Sequence, residues 1–155
     1  MSEDRREAII EGLTITYWLE IEAVLNFLAI SVDLDGVRAE EIKKSLAIDV
    51  QGELIHAQNL ANRIKEIGGR VPGTMKFTPK QTWLQPPEDS TDVVSAIHGV
   101  IKTENRVIEQ YNKVIRLCEG LDYVTQDLCI RLLADEETHR REFVGYLKEY
   151  EKSGT

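Results

Sequence analysis

The sequence predicts an all-α protein, a four-helix bundle of two antiparallel hairpins joined by a long crossover, and three observations point to it. Apolar residues recur at spacings of three and four through four segments, about 5–33, 38–67, 91–118 and 122–150, with no competing β alternation. Two breaks between these segments are short and marked by turn residues, "DLDG" at 33–36 and "EGLD" at 119–122, and short helix-to-helix loops make antiparallel neighbours. The middle break opens on "IGG" at 67–69 and holds all four prolines. At roughly 3.3 Å per residue its chain is long enough to run the length of a helix of about 45 Å. That makes it a crossover, over about 69–90, and the second and third helices run parallel. Trp83 is expected to anchor this loop.

The first helix contains "YWLEIEAVLNFLAISV", apolar nearly all round, with Leu19, Ile21, Leu25 and Leu28 spread over more than one face. In a small bundle one side meets the protein's own core. The other, carrying Leu19, Ile21, Leu25 and Leu28, is expected to meet a second copy, giving a homo-oligomer that is at least a dimer.

The second helix contains "GELIHAQ" at 52–58. Glu53 and His56 are three residues apart, about one turn, so both project from the face that also carries Val50, Ala57, Leu60 and Ile64. Burying an acid and an imidazole without partners costs several kcal/mol. Something must compensate them.

The third helix offers Glu104 on a stripe with Val100, Ile101, Val107, Ile108 and Tyr111, and the fourth offers "DEETHRR", where Glu136 and His139 repeat the Glu-x-x-His spacing. A hairpin brings to one height the residues equidistant from its turn. Gly36 lies 17 residues before Glu53 and 16 after Glu20, which shares a stripe with Leu13, Tyr17, Val24 and Phe27. Gly120 lies 16 residues before Glu136 and 16 after Glu104. Each half of the chain thus supplies a lone Glu and then a Glu-x-x-His, 33 residues later in one half and 32 in the other. One Glu from each of two helices plus Glu-x-x-His from each of the other two builds a carboxylate-bridged di-iron or di-manganese site in a bundle core. Carboxylate and imidazole donors suit Fe and Mn, and two metal ions would neutralise four buried carboxylates.

Length and charge narrow the rest. At 155 residues one domain over 1–155 is expected, able to bury a core without disulfides. The net charge of −8, from 19 basic and 27 acidic residues, argues against nucleic acid. The N-terminus lacks an apolar signal region and no 18-residue apolar run stands out, so neither leader nor membrane span is expected and cytoplasm is the default. Cys118 and Cys129 fit no C-x-x-C pattern and are expected to be reduced packing residues.

At these ligand positions, and through "ELIHAQNLANRIKEIGGRVP" and "DYVTQDLCIRLLADEETHRREF", the chain resembles the ferritin-like superfamily, and most closely the bacterioferritins. The resemblance implies that Glu20, Glu53, His56, Glu104, Glu136 and His139 are ferroxidase-centre ligands, with Glu53 and Glu136 bridging two Fe ions, Mn being possible. It implies oxidation of Fe²⁺ by O₂ or H₂O₂ for iron storage or detoxification. Asp135 matches a carboxylate that orients a ligand histidine; Gly52 stands at the symmetric place, and Asp49 is one turn earlier. The haem-ligating Met of bacterioferritins is replaced by Leu54, so no haem is expected. Tyrosines that the family places near the centre are Phe27 and Leu60 here. Rubrerythrin-type peroxidases carry a further Glu where Val107 stands.

The residues also admit plainer readings. Glu22 is expected to be a surface or interface acid, His98 a helix-surface histidine, and Tyr17 and Tyr111 core packing. Two other functions stand beside the ferroxidase: a non-catalytic assembly protein whose metals staple the bundle, and a rubrerythrin-like peroxide scavenger. The tail "EKSGT" after Tyr150 is expected to be too short for a fifth helix, favouring a dimer or small cage over a 24-subunit shell.

Overall fold

The computed structural model describes residues 1–153. Four helices, α1 (Glu3–Asp33), α2 (Glu40–Glu66), α3 (Val93–Cys118) and α4 (Tyr123–Ser153), are supplemented by one-turn 3₁₀ segments at Val37–Ala39 and Thr74–Lys76. Side-chain caps set three of the starts. Ser2 accepts from the Arg5 N–H, Asp92 from the Ser95 N–H and Asp122 from the Thr125 N–H, each satisfying one of the orphan donors of a first turn. The Asp92 cap moves the start of α3 two residues past the expected position. α4 continues beyond Tyr150 to Ser153, so most of the tail expected to be non-helical extends this helix; Gly154 and Thr155 lie outside the described residues.

Both hairpin turns use a glycine at positive φ, Gly36 at 98° and Gly120 at 72°, backbone that a side chain would strain. Around the first, Phe27 and Ile30 of α1 and Leu34 just after it share a core with Ile42 and Leu46 of α2, Ile97 and Val100 of α3, and Phe143 of α4. At the far end Ile9 and Leu13 of α1 meet Ile64 of α2, Val114 and Cys118 of α3, and Cys129 of α4. α1 is therefore antiparallel to both α2 and α3, which leaves α2 and α3 parallel, as the crossover requires. Both cysteines are free thiols buried in this second core.

The crossover is strapped to the bundle by buried polar groups. Glu22 is not the surface or interface acid expected: its carboxylate is buried and accepts the backbone N–H groups of Lys80, at 2.9 Å, and Gln81, at 2.7 Å. Gln81 donates in turn to the Leu19 carbonyl of α1 at 3.0 Å. Trp83 anchors the loop to α3 by an indole N–H donated to Thr103 Oγ1 at 3.0 Å. Close approach there depends on Gly99, because a Cβ at that position would lie 2.7 Å from the Trp83 carbonyl oxygen.

One expectation about α1 needs correction. Leu19 belongs to the protein's own core, not to an outer face, whereas Leu25 and Leu28 are about half exposed. An 18-residue stretch of α1 reaches a mean hydropathy of 1.4, long and apolar enough by length and composition to cross a membrane, although 39% of it is buried within the bundle. Glu20 and Glu22 interrupt the apolar run that the eye looks for without lowering its average below that level.

Candidate metal centre

Between the two apolar cores lies a polar layer, and each helix contributes to it at the point where one core gives way to the other. On α1 the cores include Leu19 and Ala23, with Glu20 between; on α2 Val50 and Leu60 bracket Glu53 and His56. On α3 Val100 and Val107 bracket Glu104, and on α4 Leu132 and Phe143 bracket Glu136 and His139. The four carboxylates and His56 are buried; His139 is partly open.

These six side chains form two overlapping quartets. Glu20, Glu53, His56 and Glu136 each place one potential ligand atom within 4.8 Å of the others, and so do Glu53, Glu104, Glu136 and His139. Glu53 and Glu136 belong to both. All six residues singled out in the sequence are thus brought together, one lone Glu and one histidine in each quartet.

The imidazoles are oriented alike. His56 turns Nδ1 inward, 2.8 Å from Glu20 and 2.9 Å from Glu136, while its Nε2 lies 2.9 Å from Asp135 Oδ2. His139 places Nδ1 3.2 Å from Glu53, without hydrogen-bond alignment, and Nε2 3.6 Å from Asp49. Asp49 therefore stands on the second histidine where Asp135 stands on the first. Tyr111 donates its buried hydroxyl to Glu20 Oε2 at 3.0 Å; only its stripe alongside Glu104 hinted at this, and packing was the expected role. His98 lies far from the layer, half exposed and 3.6 Å from Glu151.

Electrostatics in the layer are those of crowded charge. Burial, followed by the neighbouring carboxylates, raises Glu20 and Glu104 well above the usual carboxylate range. Glu136 is pushed up to about 8 by burial and by Glu20 and Glu53. Burial would raise Glu53 as well, but contacts from His139 and His56 hold it well below the ordinary value. Burial alone would lower both imidazoles; the surrounding glutamates instead raise His56 strongly and His139 to about 11. Even so, Glu20 Oε1, both oxygens of Glu53, Glu104 Oε2, Glu136 Oε2 and His139 Nδ1 are buried with no hydrogen-bond partner in the protein. Each such atom carries a desolvation cost of about 1–3 kcal/mol. These oxygen and nitrogen donors, convergent and unpaired, fit a pair of hard or borderline divalent cations.

A layer of four buried carboxylates and two imidazoles, shared among four long helices, has the donor set of a dinuclear carboxylate-type metal site. The sequence places it further: residues 10–153 match the ferritin-like domain family, and the chain belongs to that family. It is 30% identical over 141 residues to a bacterioferritin of Desulfovibrio desulfuricans, covering 88% of this chain and 73% of that one. The fold superposes on a dodecameric thioferritin, a bacterioferritin-related protein from Bacteroides fragilis, with a TM-score of 0.84 at 22% identity, covering 96% and 89% of the two chains. A ferritin-like, diiron-carboxylate protein from Bacillus anthracis superposes with a TM-score of 0.78 at 26% identity, covering 95% and 99%.

Proposed function

We propose that residues 1–155 form one di-iron domain that oxidises Fe²⁺ to Fe³⁺ with O₂ or H₂O₂, as a soluble cytoplasmic homo-oligomer serving iron storage or detoxification. The observation that carries this reading is the pair of quartets sharing Glu53 and Glu136. Two iron ions held by quartets that share two carboxylates would lie close enough for paired electron transfer. The stoichiometry balances as 2 Fe²⁺ + O₂ + 2 H⁺ → 2 Fe³⁺ + H₂O₂, or with peroxide as 2 Fe²⁺ + H₂O₂ + 2 H⁺ → 2 Fe³⁺ + 2 H₂O.

The chain's residues have distinct parts in this. Glu20 with His56, and Glu104 with His139, would each hold one Fe²⁺, and Glu53 and Glu136 would bridge the two. Four carboxylates cancel the charge of two Fe²⁺ and are under-matched to two Fe³⁺, so the attraction grows with oxidation. Asp135, hydrogen-bonded to His56 Nε2, would keep the inward nitrogen of that ring aimed at the iron, and the charge of Asp49, 3.6 Å from His139 Nε2, would favour the same orientation of the second ring. The two apolar cores confine the polar groups to one layer and keep bulk water from competing for the ligands.

Oxygen uptake and the rise of ferric absorbance after Fe²⁺ addition test the reading. Glu53→Ala and Glu136→Ala are expected to abolish rapid oxidation, and His98→Ala to leave it nearly intact. Uptake no faster than autoxidation would leave a metal-stapled assembly protein. Peroxide turnover that outpaces ferroxidation and needs a separate electron donor would favour the rubrerythrin-like scavenger, although Val107 is apolar where that chemistry adds a carboxylate.

A further inference from the structure

Beneath the crossover, outside the metal layer, a half-enclosed cavity of about 150 Å³ lies between α1, the crossover and α3. Its floor is apolar, formed by Ile15, Trp18 and Leu19, and Trp18 is braced by Phe77 with ring centroids 5.0 Å apart. Its rim is basic, with Lys76 and Lys80 from the crossover and Arg106 from α3. Among the described residues none of these three cations has a side-chain hydrogen bond or ion pair. On a chain of net charge −8, three unpaired cations gathered around one apolar hollow stand against the general trend. Glu22 forms part of the wall, but its carboxylate is engaged by the backbone N–H groups of Lys80 and Gln81.

We infer that this cavity binds a small aromatic anion, one ring carrying a phosphate or carboxylate. The volume decides the apolar half: an apolar cavity of about 150 Å³ is large enough for benzene, so one ring fits. Trp18 offers an indole surface and Ile15 and Leu19 an aliphatic one, so the ring leaves water for the floor. The charge decides the other half. A ring seated on Trp18 directs its substituent to the rim, where two ammonium groups and a guanidinium donate charge-assisted hydrogen bonds to an oxyanion. A neutral ring would forgo those bonds, and a free inorganic anion would forgo the floor. Ring and charge are therefore both required, and the site is independent of the proposed iron chemistry.

Titration calorimetry on the full chain at low ionic strength tests this with phenyl phosphate as probe and with benzyl alcohol and inorganic phosphate as its two halves. Phenyl phosphate is expected to bind at least tenfold more tightly than either half. It is also expected to shift the indole N–H resonance of Trp18, identified by its loss in Trp18→Phe, more than that of Trp83. Lys76→Ala/Arg106→Ala alters two exposed side chains, so the fold is kept; it should weaken phenyl phosphate at least fivefold and leave the thermal midpoint unchanged. Inorganic phosphate binding as tightly as phenyl phosphate, a shift confined to Trp83, affinity unchanged in the double variant, or no binding would each overturn the assignment.

Discussion

His56 and Asp135 are joined across the second and fourth helices: Nε2 of the imidazole lies 2.9 Å from Oδ2 of the carboxylate, which leaves Nδ1 facing Glu20 and Glu136. Asp135 is mostly exposed, so its contribution to folding is small. Its contribution to the centre is orientation. Asp135→Ala is expected to weaken Co²⁺ binding about 10–100-fold with an unchanged thermal midpoint. A metal titration indistinguishable from the unsubstituted protein would remove Asp135 from the centre.

Metal binding should be strongly pH-dependent. Burial first, and then the charges of Glu20 and Glu53, push the Glu136 carboxyl up to about 8. Burial alone would lower His139, but Glu136 and Glu53 push it up to about 11. Both groups hold protons at neutral pH, and a ligand must lose its proton to bind metal. Affinity therefore rises with pH up to and through about 8 and falls on acidification, with protons released at neutral pH. Zn²⁺ calorimetry in two buffers of different ionisation enthalpy reads that release directly; equal heats in both would contradict it.

Gly99 and Gly145 offer a contrast within one structure. Alanine in place of a mid-helix glycine gains about 0.5–1 kcal/mol from propensity. At Gly145 nothing lies within 4 Å of an added Cβ, so Gly145→Ala should stabilise by about that amount. At Gly99 the new Cβ meets the Trp83 carbonyl oxygen at 2.7 Å, a backbone atom that cannot rotate away. Overpacking costs about 1–3 kcal/mol, which exceeds the gain, so Gly99→Ala should destabilise. Urea unfolding midpoints that move the same way for both variants would show that the crossover is not seated on α3 as described.

The helices and the six polar residues of the layer were legible because both follow from local periodicity: spacings of three and four reveal faces, and distance from a turn reveals height. What escaped depends on the crossover, whose path no local pattern records. Glu22, two residues from Glu20, points away from the bundle core and so reads as solvated, but Lys80 and Gln81 arrive from some sixty residues away and bury it. Leu19 reads as outward-facing because α1 is apolar nearly all round, and such a helix has no polar side to mark which leucines face in. Tyr111 was placed on the right stripe, but a hydroxyl's partner is a three-dimensional fact, and Glu20 lies 91 residues away.

Haem should not accompany the protein in stoichiometric amounts. Leu54 sits on α2, about half exposed, and offers no lone pair where a thioether would ligate iron. After expression with haem supplied, the absorbance near the Soret region is expected not to scale with protein. A band that does scale, and survives gel filtration, would require a ligand other than residue 54.

Assembly should depend on α1, where Leu25, Leu28 and Val32 follow one another at spacings of three and four and are 54%, 49% and 72% exposed. Such spacing puts them on one stripe, and α2 of the same hairpin exposes Ile48 and Ile55. Single exposed apolar residues are ordinary, but contiguous ones mark an interaction surface. In a two-fold interface each residue counts twice, and burying a leucine is worth about 1.5–3 kcal/mol. Leu19 has no part in this, being already inside. Leu25→Asp/Leu28→Asp should therefore leave helical circular dichroism intact and convert the oligomer to monomers in sedimentation velocity, whereas Leu19→Ala should loosen the core and lower the thermal midpoint without dissociating it. A native protein that sediments as a monomer would remove the interface altogether. A double variant that stays assembled would move it off α1.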